Sequence, residues 1–77
     1  GACTTAGRIG ILHKNVSGMI SQYSTTLGDA GVNIAGMTNK SKGEYAYVLI
    51  DVDSPVTDEV IEKLQKIEGV LKVRKVK

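Results

Sequence analysis

His13, Asn15 and Asn33 are the residues whose types and spacing could do chemistry in this chain. His13 and Asn15 close the run Ile11–Gly18 (ILHKNVSG), which leads an apolar segment into a helix that opens at a glycine. Asn33 lies in Gly31–Met37 (GVNIAGM), just after that helix, where the next strand begins. Carboxamides both donate and accept hydrogen bonds, so two of them suit a zwitterion with a polar side chain. The backbone N–H groups near Gly18 and Met19, at a helix N-terminus, suit a carboxylate. Gly18 also lets a ligand approach the backbone closely. The sequence places these groups at one end of a sheet, a pattern that points to small-molecule sensing.

Other chemistries find less material. The chain has one His, and its one Cys, Cys3, lies in the small-residue leader GACTTAG. His13 and Ser17 lack an orienting acid nearby in sequence. Asp51 and Asp53 flank a strand end, where they are expected to hydrogen-bond the turn at Pro55. Catalysis by this chain alone is therefore not expected, and no cofactor is expected in it. A disulfide framework and a paired-cysteine metal site are both excluded by the cysteine count. A lone His with Asn neighbours is a poor metal site.

Hydrophobic patterning supplies the elements that must hold these groups. Residues 8–14 read as a first strand. Residues 18–30 read as a helix, with Met19, Ile20, Tyr23, Leu27 and Ala30 at helical spacing. Ser17 can cap its start, and Gly31 suits the left-handed position that ends it. A second strand over 33–40 meets a turn at Lys40–Gly43. In the third strand, 44–52, Ala46, Val48, Ile50 and Val52 form one face, and Tyr45, Tyr47, Leu49 and Asp51 form the other. Thr57 caps a second helix, with Asp58 and Glu59 in its first turn. That helix carries the stripe Val60, Ile61, Leu64 and Ile67 and ends at Gly69. Residues 70–76 form the last strand.

The order βαββαβ predicts an α+β, ferredoxin-like sandwich: a four-stranded antiparallel sheet with two helices on one face. Right-handed crossovers place the first and third strands in the centre and the second and fourth at the edges. The opposite face, with Tyr45, Tyr47 and Leu49, is left without intrachain cover.

The chain's 77 residues suffice for one small domain. Residues 1–7 are expected to be a flexible leader or linker remnant, and 8–77 the domain. The segment Lys42–Ile50 (KGEYAYVLI) approaches an RNA-recognition strand, with Tyr45 and Tyr47 on one face. Glu44 shifts that pattern by one residue, and the first strand offers no aromatic partner. A net charge of +2 is also low for a phosphate-binding surface. Nucleic acid is therefore not an expected partner. Neither is a membrane, since no apolar run is long enough to span one. With no signal-peptide pattern, the expected compartment is the cytoplasm.

From Arg8 to Val76 the chain resembles ACT domains. Within them it is similar to the C-terminal regulatory domains of the D-3-phosphoglycerate dehydrogenase family. The resemblance is carried by IGILHKNVSGMI (9–20), GVNIAGM (31–37), YAYVLIDVDSPV (45–56) and IEKLQKIEGVLKVRKV (61–76). Other ACT domains usually carry Asp where Asn15 stands. Ser17 departs from the Pro that usually precedes the helix-opening glycine. The resemblance implies a homodimer joined through its second-strand edges. L-serine, or a similar small amino acid, would be held by His13 and Asn15 of one subunit and Asn33 of the other, with Gly18 and Met19 beside it. It also implies catalytic domains of a parent NAD-dependent dehydrogenase as partners, and feedback inhibition as the outcome. A ligand-free module used only for oligomerisation is the competing reading, and an RNA-binding module is a more distant one.

Overall fold

The computed structural model describes residues 6–77. The expectations placed on residues 1–5, including Cys3, lie outside the described residues. The elements run β1 (Gly7–Lys14), α1 (Met19–Asp29), β2 (Ile34–Lys42), β3 (Tyr45–Val52), α2 (Asp58–Gln65) and β4 (Val70–Lys75). The sheet order is β2-β3-β1-β4, with every pairing antiparallel. The βαββαβ sandwich is as the pattern predicts, with β1 and β3 central. Gly7, assigned above to the leader, is the first residue of β1.

Strand alternation and helix periodicity build the core. Ile9, Ile11, Val48, Ile50 and Val52 line the inner face of the two central strands, and all are essentially fully buried. Met19, Tyr23 and Leu27 meet them from α1 at a spacing of four, and Val60 and Leu64 from α2. β2 contributes only half-buried residues such as Ile34 and Met37, as an edge strand does.

Local chemistry sets the ends of the elements. Past α1, Val32 N–H donates to Leu27 O and Gly31 N–H to Gly28 O, with Gly31 at φ 75°. This is a Schellman closure, which requires a left-handed residue there. At α2 the Thr57 side chain accepts from Val60 N–H. Two expectations need correction. Ser17 does not cap α1: the N-cap is Gly18, left-handed at φ 84°, and no side chain bonds to it. That φ turns the chain so that Ser17 lies outside the first turn. α2 ends at Gln65 rather than Gly69. Gly69, at φ 96°, instead completes the turn that Val70 N–H closes onto Ile67 O. Asp51 has a partner that the turn at Pro55 did not suggest. It lies directly opposite Arg8, which donates to it through Nε at 2.6 Å and Nη2 at 3.2 Å.

Among the described residues, no helix is long and apolar enough to cross a membrane. The two helix starts predict different sensitivities. Thr57→Ala should cost about 1 kcal/mol in urea unfolding, the usual price of a lost cap, while Ser17→Ala should change stability by less than about 0.5 kcal/mol. Gly18→Ala forces an L-residue into the left-handed region and should cost about 1 kcal/mol or more.

Candidate functional site

The site grows from the end of β1. Alternation turns His13 toward the helices, in line with Ile9 and Ile11, and it is 3% exposed. The β1–β4 pairing shifts register between Leu12 and His13, so an irregularity sits beside the imidazole, as bulges often do at sites. His13 Nδ1 lies 2.8 Å from Lys14 O. A carbonyl only accepts, so Nδ1 is the donor in this contact. Nε2 is buried and meets no hydrogen-bond partner among the described residues, and the same is true of the Tyr23 hydroxyl. The two rings stack edge to face, with centroids 5.5 Å apart at 73°. Burial pushes the Tyr23 phenol up to about 12, so it stays a neutral donor.

The next residues hold the loop. Lys14 N–H donates to Gly69 O, and Val16 N–H to Lys14 O. Asn15 is exposed, and it ties the loop to the β2–β3 turn through its backbone N–H to Glu44 O and its Nδ2 to Gly43 O at 3.1 Å. A surface pocket of about 310 Å³ lies beside the start of α1, lined by Lys14, Val16, Ser17, Met19, Gln22 and Gly69 among others. α1 begins there with no side-chain cap and no acidic residue in its first turn. Its early N–H groups therefore present partial positive charge with no acidic side chain in the helix's own first turn, and Glu68 lines the same pocket from the α2–β4 turn. The Met19 side chain is 2% exposed and packs on Gly69, and its sulfur lies 3.9 Å from the Gln22 amide nitrogen.

Asn33 is elsewhere. Its carbonyl accepts from Asp53 N–H, and the next residue, Ile34, pairs with Val52 at the far end of β3. His13 pairs with Ala46 near the start of that strand. Six residues of strand separate the two positions, or about 20 Å at 3.3 Å per residue. The expected convergence at one end of a single sheet is therefore overturned for Asn33: His13, Asn15, Gly18 and Met19 follow one another along the chain at one end of the sheet, with His13 buried in the core and Asn15 on the surface beside the β2–β3 turn, and Asn33 lies at the other end. An antiparallel sheet separates the exit of α1 from its entrance by the length of the strands. Sequence reasoning also missed Tyr23 as the neighbour of His13. Its helical spacing marked it as core, but only the packing pairs it with an imidazole.

The comparisons with known proteins follow the same outline. Residues 7–69 match the family model described as ACT domain. Two D-3-phosphoglycerate dehydrogenases are similar. The one from Methanocaldococcus jannaschii is 39% identical over 62 residues, and the one from Archaeoglobus fulgidus is 34% identical over 64. Each alignment takes in 78% of this chain but 12% of the relative's length. Among solved structures, the ACT domain from GTP pyrophosphokinase of Chlorobium tepidum superposes with a TM-score of 0.75 at 22% identity, over 91% of this chain and 95% of that one. The regulatory subunit of aspartate kinase from Thermus thermophilus gives 0.69 at 16%, over 95% and 53%. At these identities the two structures speak to the fold alone.

The orphaned hydroxyl makes a prediction. Tyr23→Phe removes a buried donor with no partner and keeps the ring, so it should leave stability unchanged or raise it by about 1 kcal/mol in urea unfolding. The raised phenol also makes the folded state lose stability as pH climbs from 10 toward about 12, because only the unfolded chain ionises there. The difference between wild type and Tyr23→Phe, followed from pH 9 to 12 in roughly half-unit steps, should carry that loss.

Proposed function

The chain belongs to the ACT domain family, and on that premise we propose that it is the regulatory domain of a D-3-phosphoglycerate dehydrogenase, which binds L-serine across a homodimer interface and inhibits the enzyme by feedback. The observation that carries the reading is the placement of Asn33. It is stranded at the opposite end of the sheet from His13 and Asn15, at the start of an edge strand whose outer side meets no further strand among the described residues.

A two-fold axis that pairs β2 with its own copy runs the two strands in opposite directions. The Ile34 end of one then meets the Lys42 end of the other. Lys42 pairs with Tyr45, and Tyr45 with Lys14, so this is the Asn15 end of the sheet. The symmetry thus carries Asn33 of the partner subunit toward His13 and Asn15. Two equivalent sites form at the seam of a continuous eight-stranded sheet, each incomplete without the other chain. The uncapped start of α1 takes the ligand's carboxylate, and the amides of Asn15 and the partner's Asn33 take its polar groups.

The chain's part in regulation is mechanical. A ligand gripped by both subunits favours the one relative orientation in which both grips hold, and it shifts the equilibrium by that difference in affinity. In a parent enzyme this preference becomes a coupling free energy between the regulatory pair and the distant catalytic cleft. The relatives' length leaves ample chain for such a cleft, since this domain corresponds to 12% of each.

Titration calorimetry with L-serine should give one site per chain. Asn33→Ala, at an exposed position, should weaken binding about ten-fold or more without unfolding the domain, the usual cost of a lost hydrogen bond to a charged ligand. Mixing Asn15→Ala chains with Asn33→Ala chains should restore one intact site in every heterodimer. A cis site would leave the mixture as inactive as its parts, and a dimer that ignores serine would mark the chain as an oligomerisation module.

A further inference from the structure

The sheet face away from the helices gathers the chain's positive charge. Strand register places Arg8, Lys14, Lys40, Lys42, Lys72 and Arg74 on it, six of the ten basic residues. Of the eight acidic residues it holds Asp51 alone, which is already paired with Arg8. The other acids lie on the helices and in the connecting segments. A net charge of +2 for the whole chain therefore conceals a strongly cationic face and an anionic back.

The centre of this face is aromatic. Tyr45 is 50% exposed. Tyr47 lies down across β1 over Gly10. A side chain on Gly10 would collide with the Tyr47 hydroxyl, and its Cβ would sit 3.1 Å from Cζ. Glycine at this position is what lets the ring lie flat. The two tyrosines and Leu12, with the stems of Lys40 and Lys42, line a shallow apolar depression of about 370 Å³.

The geometry points to a single-stranded nucleic acid as the occupant of this face, its bases stacked on Tyr45 and Tyr47 and its phosphates on the flanking lysines. The sign of the charge argues against a second copy packed face to face, which would bring like charge against like, and the anionic helix side of a second copy would use the cations but not the rings. A flat ring offers its π-face and no protruding tip to insert into a bilayer, and an acidic protein would use the cations but not the rings. Stacking between cationic rows is the arrangement that binds single strands. The shift that Glu44 introduces in the recognition pattern does not matter here, because alternation still puts both tyrosines on the open face. The face adjoins the proposed serine site at one end, where Lys14 and Tyr45 share a surface pocket with Asn15. A dimer through β2 would join two such faces on one side of the molecule.

The test is fluorescence anisotropy of the chain with labelled ten-nucleotide oligo(U) and oligo(A) at low salt, alongside poly-L-glutamate and phosphatidylserine vesicles. Saturable oligonucleotide binding is expected. Tyr45→Ala should weaken it about ten-fold and Tyr45→Phe should retain it. Lys40→Gln and Lys72→Gln should each reduce the salt slope by about 1. Absence of oligonucleotide binding would overturn the proposal. So would equal binding to poly-L-glutamate that Tyr45→Ala leaves unchanged, which would mark an acidic protein as the partner. Preference for the vesicles would overturn it in favour of a lipid surface.

Discussion

The antiparallel pairing of β1 with β3 is the constraint on which the rest of the structure depends. It joins the two central strands over eight residue pairs, from Gly7 with Val52 to Lys14 with Tyr45. Because side chains alternate along a strand, this single register assigns every neighbouring residue to a face. It sends His13 inward and Lys14 outward, and it puts Ile9, Ile11, Val48 and Ile50 under the helices. A slip by one residue would exchange the core with the cationic face. The same pairing fixes which end of the sheet the β1–α1 loop occupies, and so how far Asn33 lies from it.

Two helices cover only one face of the sheet, and the topology leaves β2 at an edge. Both facts leave work for partners. The uncovered face keeps Tyr45, Leu12 and Val76 in contact with water. The edge leaves a row of backbone donors and acceptors on β2 available for a further strand. A domain of this size buries a modest core. Pairing edge to edge adds hydrogen bonds and excludes water without asking the chain to grow. The separation of Asn33 from His13 has the same origin, and in the dimer proposed above antiparallel symmetry would bring the two ends of the sheet together.

The polar core contact between His13 and Tyr23 stands against the usual rule that buried polar groups are satisfied. Nε2 and the phenol hydroxyl are both shut away from water with no hydrogen-bond partner among the described residues. Leaving such groups unpaired costs of order 1–3 kcal/mol each, a large share of what a small domain has to spare. The Nδ1 contact to Lys14 O and the edge-to-face packing hold the imidazole in one orientation. The arrangement gives up stability to fix the imidazole in the core against Tyr23.

The sequence by itself determined the element order, the inner faces of the strands, the Thr57 cap and the left-handed turn at Gly31. Each of these is a local matter, decided within one to four residues by periodicity or by a single backbone conformation. The positions of His13 and Asn15 at the end of β1 were legible for the same reason. Sequence did not decide which far-apart residues meet. The pairing of Arg8 with Asp51, the packing of His13 on Tyr23 and the bed that Gly10 makes for Tyr47 are contacts between residues 10 to 43 positions apart. The placement of Asn33 failed in prediction because proximity along the chain is not proximity in an antiparallel sheet. The cationic face was invisible to composition, since net charge sums over the chain while recognition depends on a face. Only the tertiary structure decides which charges share one, because the register of strands distant in sequence sets the sum.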